Sequence, residues 1–87
     1  MTKYLIKTTY KATDANPNFK DKSQTWWQGK KGFNTDKESS VKYIATHHGY
    51  STKAAVASAL KSAKEICSYE NAYGFWNSSC EVIEVEV

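Results

Sequence analysis

Three short stretches of this 87-residue chain carry side chains that could do chemistry: Trp26-Trp27 beside Gly29-Lys30-Lys31-Gly32, the neighbouring His47-His48, and the pair Cys67 and Cys80. Each points to a different class of activity. Adjacent histidines diverge in most backbone conformations, and neither the His-x-x-x-His nor the Cys-x-x-Cys spacing of metal sites occurs. No metal site is expected, and the imidazoles read as polar groups flanking the start of the main helix and bonding to loop backbone. A cysteine nucleophile needs a base and a partner that orients it, and nothing around Cys67 or Cys80 marks such a set. Cys67 reads instead as a small buried hydrophobe at the end of a helix. Cys80, at the start of the last strand, could come close enough to bridge with it, although a reducing compartment favours free thiols. Gly29-Lys30-Lys31-Gly32 lacks the spacing and the following helix of a phosphate-cradling loop. Glu81, Glu84 and Glu86 belong to a solvated strand face, and Asp14 and Asp21 to a loop, so no acid–base pair is expected. The expectation is a protein without catalytic residues or cofactor.

The tryptophan hairpin is what remains. In a strand successive side chains point to opposite faces, so Trp26 and Trp27 cannot both enter one core. Trp26 shares its face with Gln24 and Gln28 and is the expected contact residue, while Trp27, between Thr25 and Gly29, is the expected core residue. Tryptophan is enriched at binding hot spots, and beside lysines it could fill a protein pocket or stack a nucleobase. The candidate binding set is therefore Trp26, Gln28, Lys30 and Lys31, with Lys20 and Lys22 from the preceding loop. The alternative is that both indoles fill a small core.

Charge narrows the choice of partner. The net charge is +3, yet residues 1–64 hold twelve lysines and four acids, a balance of +8, whereas residues 65–87 hold five acids and no base, a balance of −5. The acidic end, Glu81-Val82-Ile83-Glu84-Val85-Glu86-Val87, is strand-like, and its expected role is to pair with the basic Lys3 to Lys11 through cross-strand ion pairs. Arginine is absent. Bidentate reading of guanine is mostly arginine's work, so sequence-specific DNA recognition is not expected, and contact with an acidic protein surface or a phosphate backbone is. No apolar run approaches the roughly 20 residues of a membrane helix, and Met1-Thr2-Lys3 leads into strand sequence rather than a signal peptide. A cytoplasmic protein without a membrane partner is the expectation, as a monomer or weak dimer.

The elements that must position these residues follow from periodicity. Tyr4 to Lys11 alternates as a strand with Tyr4, Ile6, Thr8 and Tyr10 on one face. Residues 12–23 have loop composition. A second strand covers Gln24 to Gln28. Asp36 to Ala45 reads as a short helix carrying Val41, Ile44 and Ala45 inward, although Val41, Tyr43 and Ala45 also alternate as a strand would. Ser51 or Thr52 caps the main helix, Lys53 to about Cys67, with an apolar stripe of Val56, Ala59, Leu60, Ala63, Ile66 and Cys67. Ser68 to Ser79 reads as an aromatic lid loop. The last strand places Ile83, Val85 and Val87 on one face and Val82, Glu84 and Glu86 on the other, the pattern of a sheet with one face on a helix and one in water. The expected fold is a single α+β domain, an antiparallel sheet of three to four strands with one main helix on one face and the first and last strands adjacent.

This layout, Lys3-Tyr4-Leu5-Ile6-Lys7, the Trp-Trp-Gln-Gly-Lys-Lys-Gly hairpin, Gly49-Tyr50-Ser51-Thr52-Lys53-Ala54-Ala55 opening an alanine-rich helix, and Glu81-Val82-Ile83-Glu84-Val85, resembles the small α+β proteins of bacteriophages and prophages. Some members of that group are anti-CRISPR or other anti-defence inhibitors. The resemblance implies a stoichiometric inhibitor that occupies a surface of a host protein or ribonucleoprotein, and it assigns no functional residue. The alternative expectation is a non-specific nucleic-acid-binding protein using its lysine-rich face.

Overall fold

The structure is a computed structural model that describes residues 1–16 and 23–87. Strand β1 (Thr2–Ala12) is followed by β2 (Ser23–Gln28), a 3-10 turn at Lys30–Gly32, and the two-residue β3 (Asn34–Thr35). A short 3-10 turn then leads into α1 (Val41–His48), α2 (Lys53–Ala72) and the terminal β4 (Trp76–Glu86). The four strands form one antiparallel sheet in the order β3-β2-β1-β4. The adjacency of first and last strands is thus present, and β1 pairs with β4 along its whole length, from Thr2 opposite Glu86 to Ala12 opposite Trp76.

Register and alternation divide the side chains between two faces. Lys7 stands opposite Trp27 and Leu5 opposite Ile83, so these residues share one face with Val85. Thr8 stands opposite both Trp26 and Cys80, and Tyr10 opposite both Gln24 and Ser78, so these share the other. Each face carries a helix over part of its area, which corrects the expectation that a helix covers one face alone, although Lys11, Asn77, Ser79 and Glu81 on the first face are exposed. Helix α1 buries Ile44 and Ala45 on the first face against Leu5, with Trp27, Val41, Ile83, Val85 and Val87 packed around them. The ambiguous segment 36–45 is thus a 3-10 turn at Glu38–Ser40 followed by helix from Val41, displaced toward His48 from the expected bounds.

Close approach of α1 depends on glycine. A Cβ at Gly49 would run into the Ala45 carbonyl oxygen and lie 2.9 Å from the Lys3 Cβ. A Cβ at Gly29 would run into the carbonyl of His48. The chain then crosses from one face to the other at Tyr50, whose backbone exchanges two 2.9 Å hydrogen bonds with Tyr4. That position is free because β2 stops pairing at Ile6 opposite Gln28.

Helix α2 is capped by Thr52, whose hydroxyl accepts the Ala55 N–H at 3.1 Å. It buries Val56 and Cys67 on the second face, over β4 and β1. The helix runs five residues beyond the expected Cys67 end, because tertiary contacts support the extra turn. The Asn71 carboxamide clamps the backbone of Ser78, accepting its N–H at 2.6 Å and donating to its carbonyl at 3.0 Å. Tyr69 and Tyr73, one turn apart, meet edge to face at 5.2 Å and share a 2.7 Å hydroxyl contact. Gly74, at φ 80, then reverses the chain into β4. Residues expected in a lid loop therefore belong to a helix end and to a strand start.

Two smaller expectations also change. Ile66, placed on the inward stripe, is 57% exposed. Lys7 does stand opposite Glu81, but the ion pair within 4 Å among the described residues joins the Met1 ammonium to Glu86 at 3.5 Å, not a lysine to the acidic strand.

Candidate binding groove

Helix α2 covers the β4 and β1 side of its face and leaves the β2 side open. A groove of about 570 Å³ lies in the uncovered part. Its floor comes from alternate strand residues: Thr8 and Tyr10 of β1, and Gln24, Trp26 and Gln28 of β2. Asn34, Glu70 and Trp76 complete the lining from β3, the last turn of α2 and the first residue of β4. Tyr10 and Trp76 meet edge to face, with ring centroids 6.2 Å apart at 78°. Beyond Trp76 and Glu70 a second hollow of about 310 Å³ continues past the end of α2, walled by Asn16, Tyr73 and Phe75. The floor therefore reads as one aromatic trough running from β2 to the turn before β4.

Among the described residues lining both hollows, Glu70 carries the formal charge. Burial raises the Tyr10 hydroxyl above its ordinary pKa, and the neighbouring Glu70 carboxylate adds to the shift. Ile66, Glu70 and Tyr73 follow one another at helical spacings of four and three, so they stand on one flank of α2. With Tyr73 61% and Phe75 49% exposed, the turn after α2 presents apolar surface next to the carboxylate.

Trp26 and Gln28 of the expected binding set meet in this groove. Trp27 lies on the opposite face, packed against the Leu5 cluster, so the two indoles are divided between the faces as alternation predicts, and both are half-buried. Lys30 and Lys31 are exposed in the 3-10 turn directly after β2, with Lys31 itself at φ 58. They stand beyond the end of the groove and are not in its lining. Lys20 and Lys22 lie outside the described residues. Sequence reasoning missed Tyr10, Glu70 and Trp76 as groove residues. The alternation of β1 already set Tyr10 on the face of Thr8, but joining that face to Trp26 requires the β1–β2 register, and Trp76 was assigned to a loop.

The other chemistry-bearing residues are placed as follows. His47 and His48 occupy the last turn of α1, where a helix favours positive charge, rather than a connection before α2. His48 stacks on Phe33 at 3.6 Å and 7°, and His47 tilts against Tyr43 at 4.5 Å. Their described contacts are thus with rings. Cys67 and Cys80 are free thiols. Burial, then the adjacent Cys80, pushes the Cys67 thiol up to about 11, so at neutral pH it lacks the thiolate needed for nucleophilic attack. Among the described residues no three His, Cys, Asp or Glu side chains gather as a metal cluster. No helix among them is long and apolar enough to cross a membrane.

No protein-family model, no curated protein and no solved structure matches the chain.

Proposed function

We propose that this chain is a non-enzymatic binding protein that acts by occupying a partner's surface, with the aromatic groove around Trp26 as its contact. The observation that carries the reading is the uncovered half of the α2 face, where Trp26, Tyr10 and Trp76 line a hollow of about 570 Å³ together with three carboxamides. Concave, mostly apolar sites with a few placed polar groups are where ligands bind, and aromatic anchors supply most of the energy in protein contacts. On the phage-type layout, the partner is a host protein or ribonucleoprotein, and the effect is inhibition of a defence system. Direct nucleic-acid binding has less support, because Glu70 stands among the rings on which a base would stack and repels the phosphate beside it. Capture from a bacterial lysate tests the proposal. Trp26→Ala, with its fold checked by circular dichroism, is expected to lose the partner that the unaltered chain retains. The double variant Lys30→Ala/Lys31→Ala is expected to weaken recovery less. Unchanged recovery by both would remove the hairpin and its groove from the account.

A further inference from the structure

The groove combines three features whose shared preference is for positive charge. Its rings present negative π-faces, and Trp and Tyr faces attract ammonium and guanidinium groups. Among the described residues of its lining, the formal charge is the Glu70 carboxylate. Glu70 also sits in the last turn of the 20-residue α2, and that turn contains no basic residue. The carbonyl end of a helix carries a partial negative charge that a Lys or Arg commonly offsets. Here no basic side chain of the last turn offsets it, and the turn lies within the stretch 65–87 that holds five acids and no base.

We propose that the groove takes a basic side chain of a polypeptide partner, its guanidinium or ammonium lying against the Trp26 and Trp76 rings and pairing with Glu70. The assignment rests on the binding function above and names the chemistry of the partner at that same site. A polypeptide fits better than a free small cation because the trough continues past Glu70 into the second hollow, about 310 Å³, walled by Tyr73 and Phe75. That extension accommodates the chain on either side of the charged residue. Gln24, Gln28 and Asn34, along the other wall, offer donors and acceptors suited to peptide backbone. A guanidinium gains most here, since it stacks on indole and pairs with a carboxylate in the same pose.

The test uses the full chain and two peptides, acetyl-Gly-Gly-Arg-Gly-Gly-amide and its citrulline counterpart, in which a neutral urea replaces the guanidinium at the same shape. Binding is followed by the indole N–H resonances of Trp26 and Trp76. The arginine peptide is expected to shift both saturably, and the citrulline peptide to bind about tenfold more weakly. Glu70→Gln is expected to weaken the arginine peptide about fivefold while leaving the citrulline peptide unchanged. Equal binding of the two peptides, or indifference to Glu70→Gln, would overturn the cation assignment. If Trp26→Ala still lost its lysate partner in that case, the groove would stand as a contact surface with another preference. If neither peptide moved Trp26 and Trp26→Ala kept the same partners, the binding reading would fall as well. A single-stranded oligonucleotide that shifted Trp26 where the arginine peptide did not would also overturn the proposal.

Discussion

The two faces of one sheet are built on different principles, and adjacent tryptophans on β2 sample both. On the α1 face, Leu5, Ile44 and Ala45 are buried and Trp27, Val41, Ile83, Val85 and Val87 close around them. This is a dry apolar contact, brought tight by glycines at 29 and 49. On the α2 face the buried set is Val56 and Cys67 from the helix with Ile6 and the polar Thr8 and Ser78 from the sheet, and part of the attachment is the Asn71 clamp on Ser78. The eight-residue α1 covers the Leu5 end of the first face and leaves Asn77, Ser79 and Glu81 exposed, while the 20-residue α2 lies along β4 and β1 on the second. Alignment over β4 and β1 is what leaves Trp26 uncovered while Trp27 packs.

Substitutions can break or sharpen that contrast. Trp27→Ala is expected to cost about 3 kcal/mol, lowering Tm by roughly 12–24 °C in a domain of this size, whereas Trp26→Ala costs about 1 kcal/mol or less. Equal losses in a thermal melt would contradict the division of the sheet into a core face and a contact face. Gly49→Ala comes next, at about 2 kcal/mol, because its Cβ would meet the Ala45 carbonyl and Lys3. Gly32→Ala, where a Cβ meets nothing and only φ 78 is at stake, should cost about 1 kcal/mol in urea unfolding. Asn71→Ala tests the polar attachment of α2. It removes both bonds to Ser78 and should destabilise by about 1–2 kcal/mol, with faster amide exchange in the last turn of α2 than in α1.

The smallest effect is on pH dependence. The unfolded Cys67 thiol ionises near its ordinary value of about 8.5, while the folded one is held protonated up to about 11. Between these values the unfolded state binds fewer protons, so stability is full below the window and falls as pH rises through it. Urea midpoints measured across this range should decline in the unaltered chain and decline less in Cys67→Ala.

Much of this contrast was legible in the residues. Alternation alone separated Trp26 from Trp27, and the opposite charges of β1 and β4 pointed to their adjacency, which is present although no lysine of β1 forms an ion pair with β4 among the described residues. The second covered face was not legible, because Val41, Tyr43 and Ala45 satisfy a strand period as well as Val41, Ile44 and Ala45 satisfy a helix. The end of α2 was also hidden. Tyr69 and Asn71 look like loop residues by propensity, and the extra turn is held by the tertiary clamp of Asn71 on Ser78 and by the local Tyr69–Tyr73 pair. The groove suffered from both gaps. Its floor residues were recognisable as strand residues, but Glu70 and Trp76 enter only once the helix end and the β1–β4 register are fixed.

Trp26 as the contact indole and Trp27 as the core indole is the division on which the proposed function depends. The most direct test follows the indole N–H signals of the full chain as the partner captured from lysate is added. The expected result is that Trp26 and Trp76 shift or broaden together while Trp27 stays in place. Movement of Trp27 with an unchanged Trp26 would contradict it.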